Sequence, residues 1–345
     1  MYIYCGKKIK NPIYIHFLCG CKYDKYNNSD KRNVVAKYID SKKYNYSLIL
    51  EKQFTFRHYN KMNLDDLGEI ELFASYYAST IIILHETYST AAETALFGSK
   101  KALHNKILVI YPSKKVTEVN NIGTFLYMAY FKTKKAKKVS YNDFKRILNE
   151  ENKNVRYYMT SFNEDRLDSY IKEKIDTHFN NNKQNIDISL RKKYINQKRN
   201  CYSVSRKNKK ISINLDYQFI FSIILAIISN KHFQNDIRDF NYCITNICYI
   251  IKNILMDTIC NKEKLDKNDF QNITVKTIDK KDINKPIKFC INILVGIGLL
   301  KFSSRKIVFS RKIAEELSEY RNIIRDEKEQ DFFEVKNGDN NEWRL

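Results

Sequence analysis

Between Pro12 and Pro112 short apolar runs alternate with amphipathic stretches, and that alternation leaves few folds open. The runs IYIHFLCG (13–20), YSLILEKQF (46–54), TIIIL (80–84) and KILVIY (106–111) have the length and β-branched content of strands. Between them, KRNVVAKYIDSK (31–42), DDLGEIELFASYYA (65–78) and STAAETALFGSKKAL (89–103) carry apolar residues at helical spacing. Strands and helices in this order build right-handed crossovers. The expected fold is α/β, a parallel flavodoxin- or Rossmann-like sheet covered on both faces, in an N-terminal domain of residues 1–135. Ligands in such sheets bind beyond the carboxyl ends of the strands, so Gly20 with Cys21, the residues after Leu50 and the 84–90 loop are expected to line one crevice.

The character changes after residue 135. KTKKAKK (132–138) is densely basic, 141–179 reads as helical, and 183–210 is rich in Asn, Lys and Arg with little periodicity. Residues 136–210 are therefore expected to form a helical and basic connector, and 211–345 a mainly helical domain. YQFIFSIILAIIS (217–229) is the most apolar segment, yet it falls short of the roughly 20 residues a membrane span needs. It reads as a buried helix, and no membrane partner is expected. The closing stretch, 285–320, reads as a helix opened by Pro286, a strand, a basic turn, a second strand and a helix, the order of a winged-helix-like unit. There Arg305, Lys306, Arg311 and Lys312 are spaced to meet phosphates and are candidate nucleic-acid-binding residues.

Composition narrows the partners. Lys plus Arg number 61 against 39 Asp plus Glu, a formal net charge of +22 whose field favours a polyanion. The 8 cysteines lie mostly in apolar stretches without a CxxC pair, which argues for reduced thiols in a cytoplasm rather than a zinc site or a disulfide framework. No metal and no cofactor is expected, and no apolar run of signal-peptide length opens the chain. A homo-oligomer stays open.

Two carboxylates sit where a parallel strand hands over to its helix. Glu86 stands just past TIIIL, Glu93 near the start of the next helix, and Glu71, on the helix before, is expected to approach the same place. The helix dipole favours a Glu in a first turn, with Ser89 or Thr90 as cap, and that alone would account for Glu93. Clustered carboxylates also raise one another's pKa values, which poises one as proton donor and another as nucleophile. Cleavage of a glycosidic bond uses such a pair, one carboxylate attacking or stabilising C1′ and the other assisting the leaving group. Beside them, His85 is a proton carrier or a pocket-wall residue, Arg32 a phosphate ligand or a solvated helix residue, and Glu51 a ribose contact or a turn cap.

FLCG (17–20), IELFASYYASTIIIL (70–84) and ETYSTAAETALF (86–97) together resemble the nucleoside 2-deoxyribosyltransferase-like domain found in effectors of retron anti-phage systems. In that family a strand ending FLCG, a Leu-Glu in a helix and a loop of the form ESPGSFxELGAF recur in this order. The resemblance implies Glu93 as nucleophile and Glu86 as a ligand-orienting or acid/base carboxylate. It implies Glu71 as a supporting or ribose-contacting group, and Phe17, Cys19 and Gly20 as part of the base and sugar pocket. Tyr88, Ser89 and Thr90 stand where the family has Pro-Gly-Ser, and Thr94, Ala95 and Leu96 where it has Leu-Gly-Ala. Ser89 and Thr90 still offer hydroxyl and N–H donors to an anion or sugar oxygen. The partners implied are a retron reverse transcriptase with its RNA-linked DNA (msDNA), and a nucleotide-type substrate.

Two functions follow. In one, the chain is a toxic effector that cleaves N-glycosidic bonds of a nucleoside, nucleotide or NAD-type substrate and is restrained by the reverse transcriptase and its DNA. In the other, it is a catalytically degenerate nucleotide sensor acting as a basic nucleic-acid-binding regulator. Phosphoribohydrolases of the cytokinin-activating type offer a related chemistry, but with glycine-rich turns that this chain lacks. The enzyme requires the Glu86 and Glu93 carboxyls to face one solvent-reachable pocket.

Overall fold

A computed structural model of the chain describes residues 1–20, 30–53, 67–112, 126–141, 143–144, 159–163, 166–183, 185–194, 199–233, 236–237, 240–270, 272–303, 306–309 and 316–325. The chain divides into two units, one of Ile13–Gln184 and one that joins Met1–Pro12 to Asn185–Leu345.

In the first unit, strands β1 (Tyr14–Cys19), β2 (Asn45–Leu48), β3 (Thr80–Leu84), β4 (Ile107–Pro112) and β5 (Lys137–Tyr141) form one sheet in the order β2-β1-β3-β4-β5. Every pairing is parallel. Parallel strands buried on both faces read as continuous apolar runs, and Ile81, Ile82 and Ile83 are fully buried. Helices α1 (Lys31–Asp40) and α4 (Ser169–Asn182) cover one face, where Val34, Val35 and Ile39 meet Ile171, Ile175 and Phe179 over Leu18, Ile82 and Leu108. Helices α2 (Leu67–Tyr77) and α3 (Tyr88–Gly98) pack together on the other, with Phe97 edge-on to Phe17 at 5.9 Å.

A buried polar node ties the sheet to α4. His16 in β1 is bonded through Nδ1 to Thr80 Oγ1 of β3 and through Nε2 to Asn45 Oδ1 of β2, each at 2.8 Å, and its ring stacks on Phe179 at 3.8 Å. Burial holds its pKa down to about 3, so the ring is neutral at physiological pH.

The fifth strand corrects the expectation of a connector beginning at 136. Its residues, KKVSY, end the basic run, with exposed lysines on an edge strand, so no apolar run marked it. Among the described residues of the 141–179 stretch, α4 is helical, and those before it form short strands at Asp143–Phe144, Met159–Thr160, Phe162–Asn163 and Arg166–Leu167; 142, 145–158 and 164–165 lie outside the described residues.

In the second unit the 183–210 stretch is likewise structured. Strands Arg191–Lys192, Cys201–Ser205, Lys210–Leu215 and Asn272–Thr277 form a mixed sheet in that order. The first residues of the chain belong here and not to the α/β domain, because Tyr2–Ile3 pairs with Ile324–Arg325 and Lys7–Ile9 with Ile186–Ile188. Helices Tyr217–Ser229, Phe240–Glu263 and Asn284–Gly296 pack on one another, and the first is buried along nearly its whole length, as expected. By length and composition Cys243–Glu263 is apolar enough to cross a membrane, and most of that stretch is buried inside the protein. After the third helix, Gly298 at φ +77° makes the turn into an antiparallel hairpin of Leu300–Ser303 with Lys306–Phe309. Arg305, Arg311 and Lys312 lie outside the described residues, as does Cys21, and Lys306 is described by its backbone alone. The expected closing helix is described as a short one, Ser318–Arg321.

The end of α3 makes one especially close contact. A Cβ placed on Gly98 would overlap the ring of Tyr130, which is itself buried. Gly98→Ala is therefore expected to lower stability by about 1–3 kcal/mol through overpacking. Adding Tyr130→Leu should recover most of that loss in thermal unfolding.

Candidate functional site

The chain leaves β1 for β2 on one side and returns to β3 on the other. The helices that follow β1 and β3 depart to opposite faces, the topology in which a crevice is expected beyond the carboxyl ends of these two strands. Every candidate carboxylate of the sequence lies around that point.

Helix α1 opens there. Asp30 caps it, accepting from the Arg32 backbone N–H at 2.8 Å, and the next two side chains diverge. The Lys31 ammonium pairs with the Glu86 carboxylate and donates to Tyr141 Oη at 2.9 Å, while Tyr141 Oη donates to Glu86 Oε1 at 2.6 Å. Tyr141 ends β5 and packs edge-on against Phe162 at 5.0 Å. Glu86 is thus held in a closed triad of charge-assisted bonds.

Arg32 turns the other way. Its side chain runs against Gly20, where an added Cβ would stand 3.0 Å from Arg32 Cδ, and its Nη1 donates to Glu51 Oε1 at 2.8 Å. Arg32 is only 2% exposed, whereas Glu51 is 52% exposed. The expectation of a solvated Arg32 is overturned: the absence of a side chain at Gly20 makes room to bury it.

Glu93 and Glu71 complete the second group. Burial, then the Glu71 and Glu51 charges, push the Glu93 carboxyl up to about 8, with Arg32 opposing. Burial, then Glu51, push Glu71 up to about 7. Between them at the end of β1, the Cys19 thiol is raised well above its usual value by burial and by Glu93, Glu71 and Glu51. Glu93 Oε2 is buried and has no hydrogen-bond partner among the described residues. A buried carboxylate oxygen in that position is costly when charged, so the group relieves the cost by keeping its proton.

The structure therefore pairs Glu93 with Glu71 and Glu51, and it places Glu86 in a separate cluster with Lys31 and Tyr141. Glu86 is not among the charges that raise Glu93. Neither is Glu93 in a first helical turn: α3 starts at Tyr88 after Thr87, which puts Glu93 in the second turn and removes dipole compensation as its reason. Thr90 is fully buried and its hydroxyl knots the loop, accepting from Thr87 N at 3.2 Å and Glu86 N at 3.3 Å and standing 3.0 Å from His85 Nδ1. Ser89 is exposed, its hydroxyl 2.8 Å from that of Thr87. Phe17 is a core residue at 2% exposure, not a pocket wall. Burial lowers the His85 pKa and the Glu86 charge opposes it.

Lys31 and Tyr141 escaped the sequence reading, the first as one Lys among many and the second because β5 was hidden. Among the described residues no three His, Cys, Asp or Glu side chains stand together as a metal ion would require. No protein-family model and no curated protein matches this sequence.

The raised carboxyls give a stability signature with a definite sign. A carboxyl that titrates near 8 when folded and near 4.5 when unfolded holds its proton more tightly in the native state, so stability falls as pH rises from 4.5 to 8. With Glu93 partly exposed, the loss is on the order of 2 kcal/mol. Glu93→Gln is expected to remove it. Thermal unfolding at pH 5 and pH 8.5 checks this: the variant should match the parent at the lower pH and exceed it at the higher.

Proposed function

We propose that the α/β unit cleaves the N-glycosidic bond of a nucleoside, nucleotide or NAD-type dinucleotide. The chain is then the toxic effector of a retron anti-phage system, restrained by the reverse transcriptase and its RNA-linked DNA. One observation carries the chemistry: two partly buried glutamates, Glu93 and Glu71, whose carboxyls burial and neighbouring carboxylates push up towards neutrality. At pH 7 to 8 the proton rests on Glu93 and the charge on Glu71. With a nucleoside or nucleotide, Glu93 donates that proton to a ring nitrogen of the base as the bond to C1′ breaks, whereas nicotinamide, already cationic, leaves without it; in both cases the electron pair of the bond leaves with the base. Glu71 stabilises the cation left at C1′ or bonds to it. Water, or the nucleophile of a second acceptor, then takes C1′ and gives its proton back to the pair.

This assignment keeps Glu93 in the reaction but exchanges the attacking role implied by the resemblance, because the higher pKa marks the donor. Glu51, exposed and held by Arg32, is placed to accept from a ribose hydroxyl. The retron setting rests on the resemblance of FLCG and ETYSTAAETALF and on the charge of +22. In the second unit, the helix Asn284–Gly296 followed by a hairpin has the order of a winged helix, and we assign it the docking of nucleic acid or of the reverse transcriptase. The engagement of Glu86 by Lys31 and Tyr141 favours a second reading, in which one expected carboxylate is committed to structure and the crevice senses a nucleotide without cleaving it.

Incubation with a panel of nucleosides, nucleotides and NAD, read by chromatography, separates the two. The enzyme releases free base, and Glu93→Gln and Glu71→Gln each slow it by about 10²-fold or more. Its rate should peak between pH 7 and 8, falling on the acid side as Glu71 protonates and on the alkaline side as Glu93 ionises. Binding of a nucleotide without base release, unchanged in both variants, favours the sensor.

A further inference from the structure

A second cleft lies in the α/β unit, on the far edge of the sheet from β1. It has a volume of about 430 Å³ and is walled by β5, α4 and the π-helical turn Tyr127–Phe131. Its chemistry differs from that of the carboxylate crevice. Lys137 and Lys138 of β5 and Lys174 of α4 line it around the edge of the sheet, Lys137 acting on His178 of α4 and Lys138 lying beside the rings of Tyr127 and Phe131. Lys138 Nζ stands 4.6 Å from the centroid of the Tyr127 ring and 5.8 Å from that of Phe131, which holds the charge alongside the aromatic faces. Tyr127 is 46% exposed. Among the described residues, the acidic side chains of α4 near these cations are already engaged: Glu173 accepts from Lys174 at 3.2 Å, and Asp176 is taken by Lys42. His178 in the wall is kept neutral, its pKa lowered to about 4 by burial although its Nε2 is bonded to the Lys106 carbonyl, and the positive charge of Lys137 lowers it further.

Lysines on an edge strand also guard against sheet-to-sheet pairing, and that duty accounts for Lys137 and Lys138 alone. It does not account for a third lysine from another element or for two aromatic rings at the same place. Cations that track a backbone, set beside exposed aromatic faces on which bases stack, are the two components of single-strand recognition. The volume suits one or two nucleotide units, within the range of ordinary ligand sites.

We propose that this cleft binds single-stranded nucleic acid, with Lys137, Lys138 and Lys174 on the phosphates and a base stacked on Tyr127. The site is distinct from the hairpin of the second unit and does not depend on glycosidic chemistry in the crevice.

Fluorescence anisotropy of a labelled short oligo-dT with the full chain, over a salt series, tests it. The triple variant Lys137→Gln, Lys138→Gln, Lys174→Gln should bind at least tenfold more weakly at low salt and show a slope of log affinity against log salt shallower by about 2. Tyr127→Ala should weaken binding about tenfold and leave that slope unchanged. The same Tyr127 variant should bind inorganic polyphosphate, which has no bases, as the parent does. If the triple variant melts below the parent, the single variants Lys138→Gln and Lys174→Gln carry the test, each with a slope shallower by about 0.7. Oligonucleotide binding unchanged by these substitutions, or lost only when Arg305, Lys306, Arg311 and Lys312 are neutralised, overturns the proposal. A Tyr127 effect of equal size on polyphosphate overturns the stacking role.

Discussion

The strand order β2-β1-β3-β4-β5 is the constraint on which the rest of the α/β unit depends. With β1 and β3 adjacent and their helices sent to opposite faces, the topology is the one in which a crevice is expected where two strands end. What fills that place is decided by Gly20. Because no side chain stands there, Arg32 lies across the end of β1, its guanidinium reaches Glu51, and the positive charge opposes the rise of the Glu93 and Cys19 pKa values. The neighbouring Lys31 serves the opposite face, where it fixes Glu86 to Tyr141. One helical turn therefore sets the electrostatics of both sides.

The two sides have different chemical capacities. Glu86 has a cation and a phenol as immediate partners, whose charge-assisted bonds hold its carboxylate in place. Glu93 and Glu71 sit among like charges with less solvent and hold protons near neutrality, the condition for moving a proton at physiological pH. The basic, aromatic cleft at the other edge of the sheet offers a third chemistry, suited to a ligand with phosphates and flat rings.

Much of this was legible in the chain. Four of the five strands and the three helices between them followed from apolar periodicity, and Glu93 and Glu71 from their places relative to TIIIL. Other features were silent for physical reasons. An edge strand carries lysines where a central strand carries isoleucines, so KKVSY looked like part of a basic run. The strands within 183–210 are short and largely polar outward, and their meaning lies in partners elsewhere in the unit. The attachment of Tyr2–Ile3 to Ile324–Arg325 is a pairing between the ends of the chain, which local pattern cannot carry. Which glutamate pairs with Glu93 was a question of side-chain direction: the true first turn of α3 begins at Tyr88, and this places Glu93 on the Cys19 side rather than the Lys31 side.

The central claim is that Glu93 keeps its proton at neutral pH, under the charge of Glu71. Carbon-13 NMR of the chain labelled at glutamate side-chain carboxyls, with the Glu93 resonance assigned by its loss in Glu93→Gln, measures this directly. The account requires that resonance to titrate near 8 and to move down in Glu71→Gln, while Glu71 titrates near 7 in the parent and in Glu93→Gln alike. A Glu93 resonance that titrates near 4.5, independent of Glu71, would contradict it.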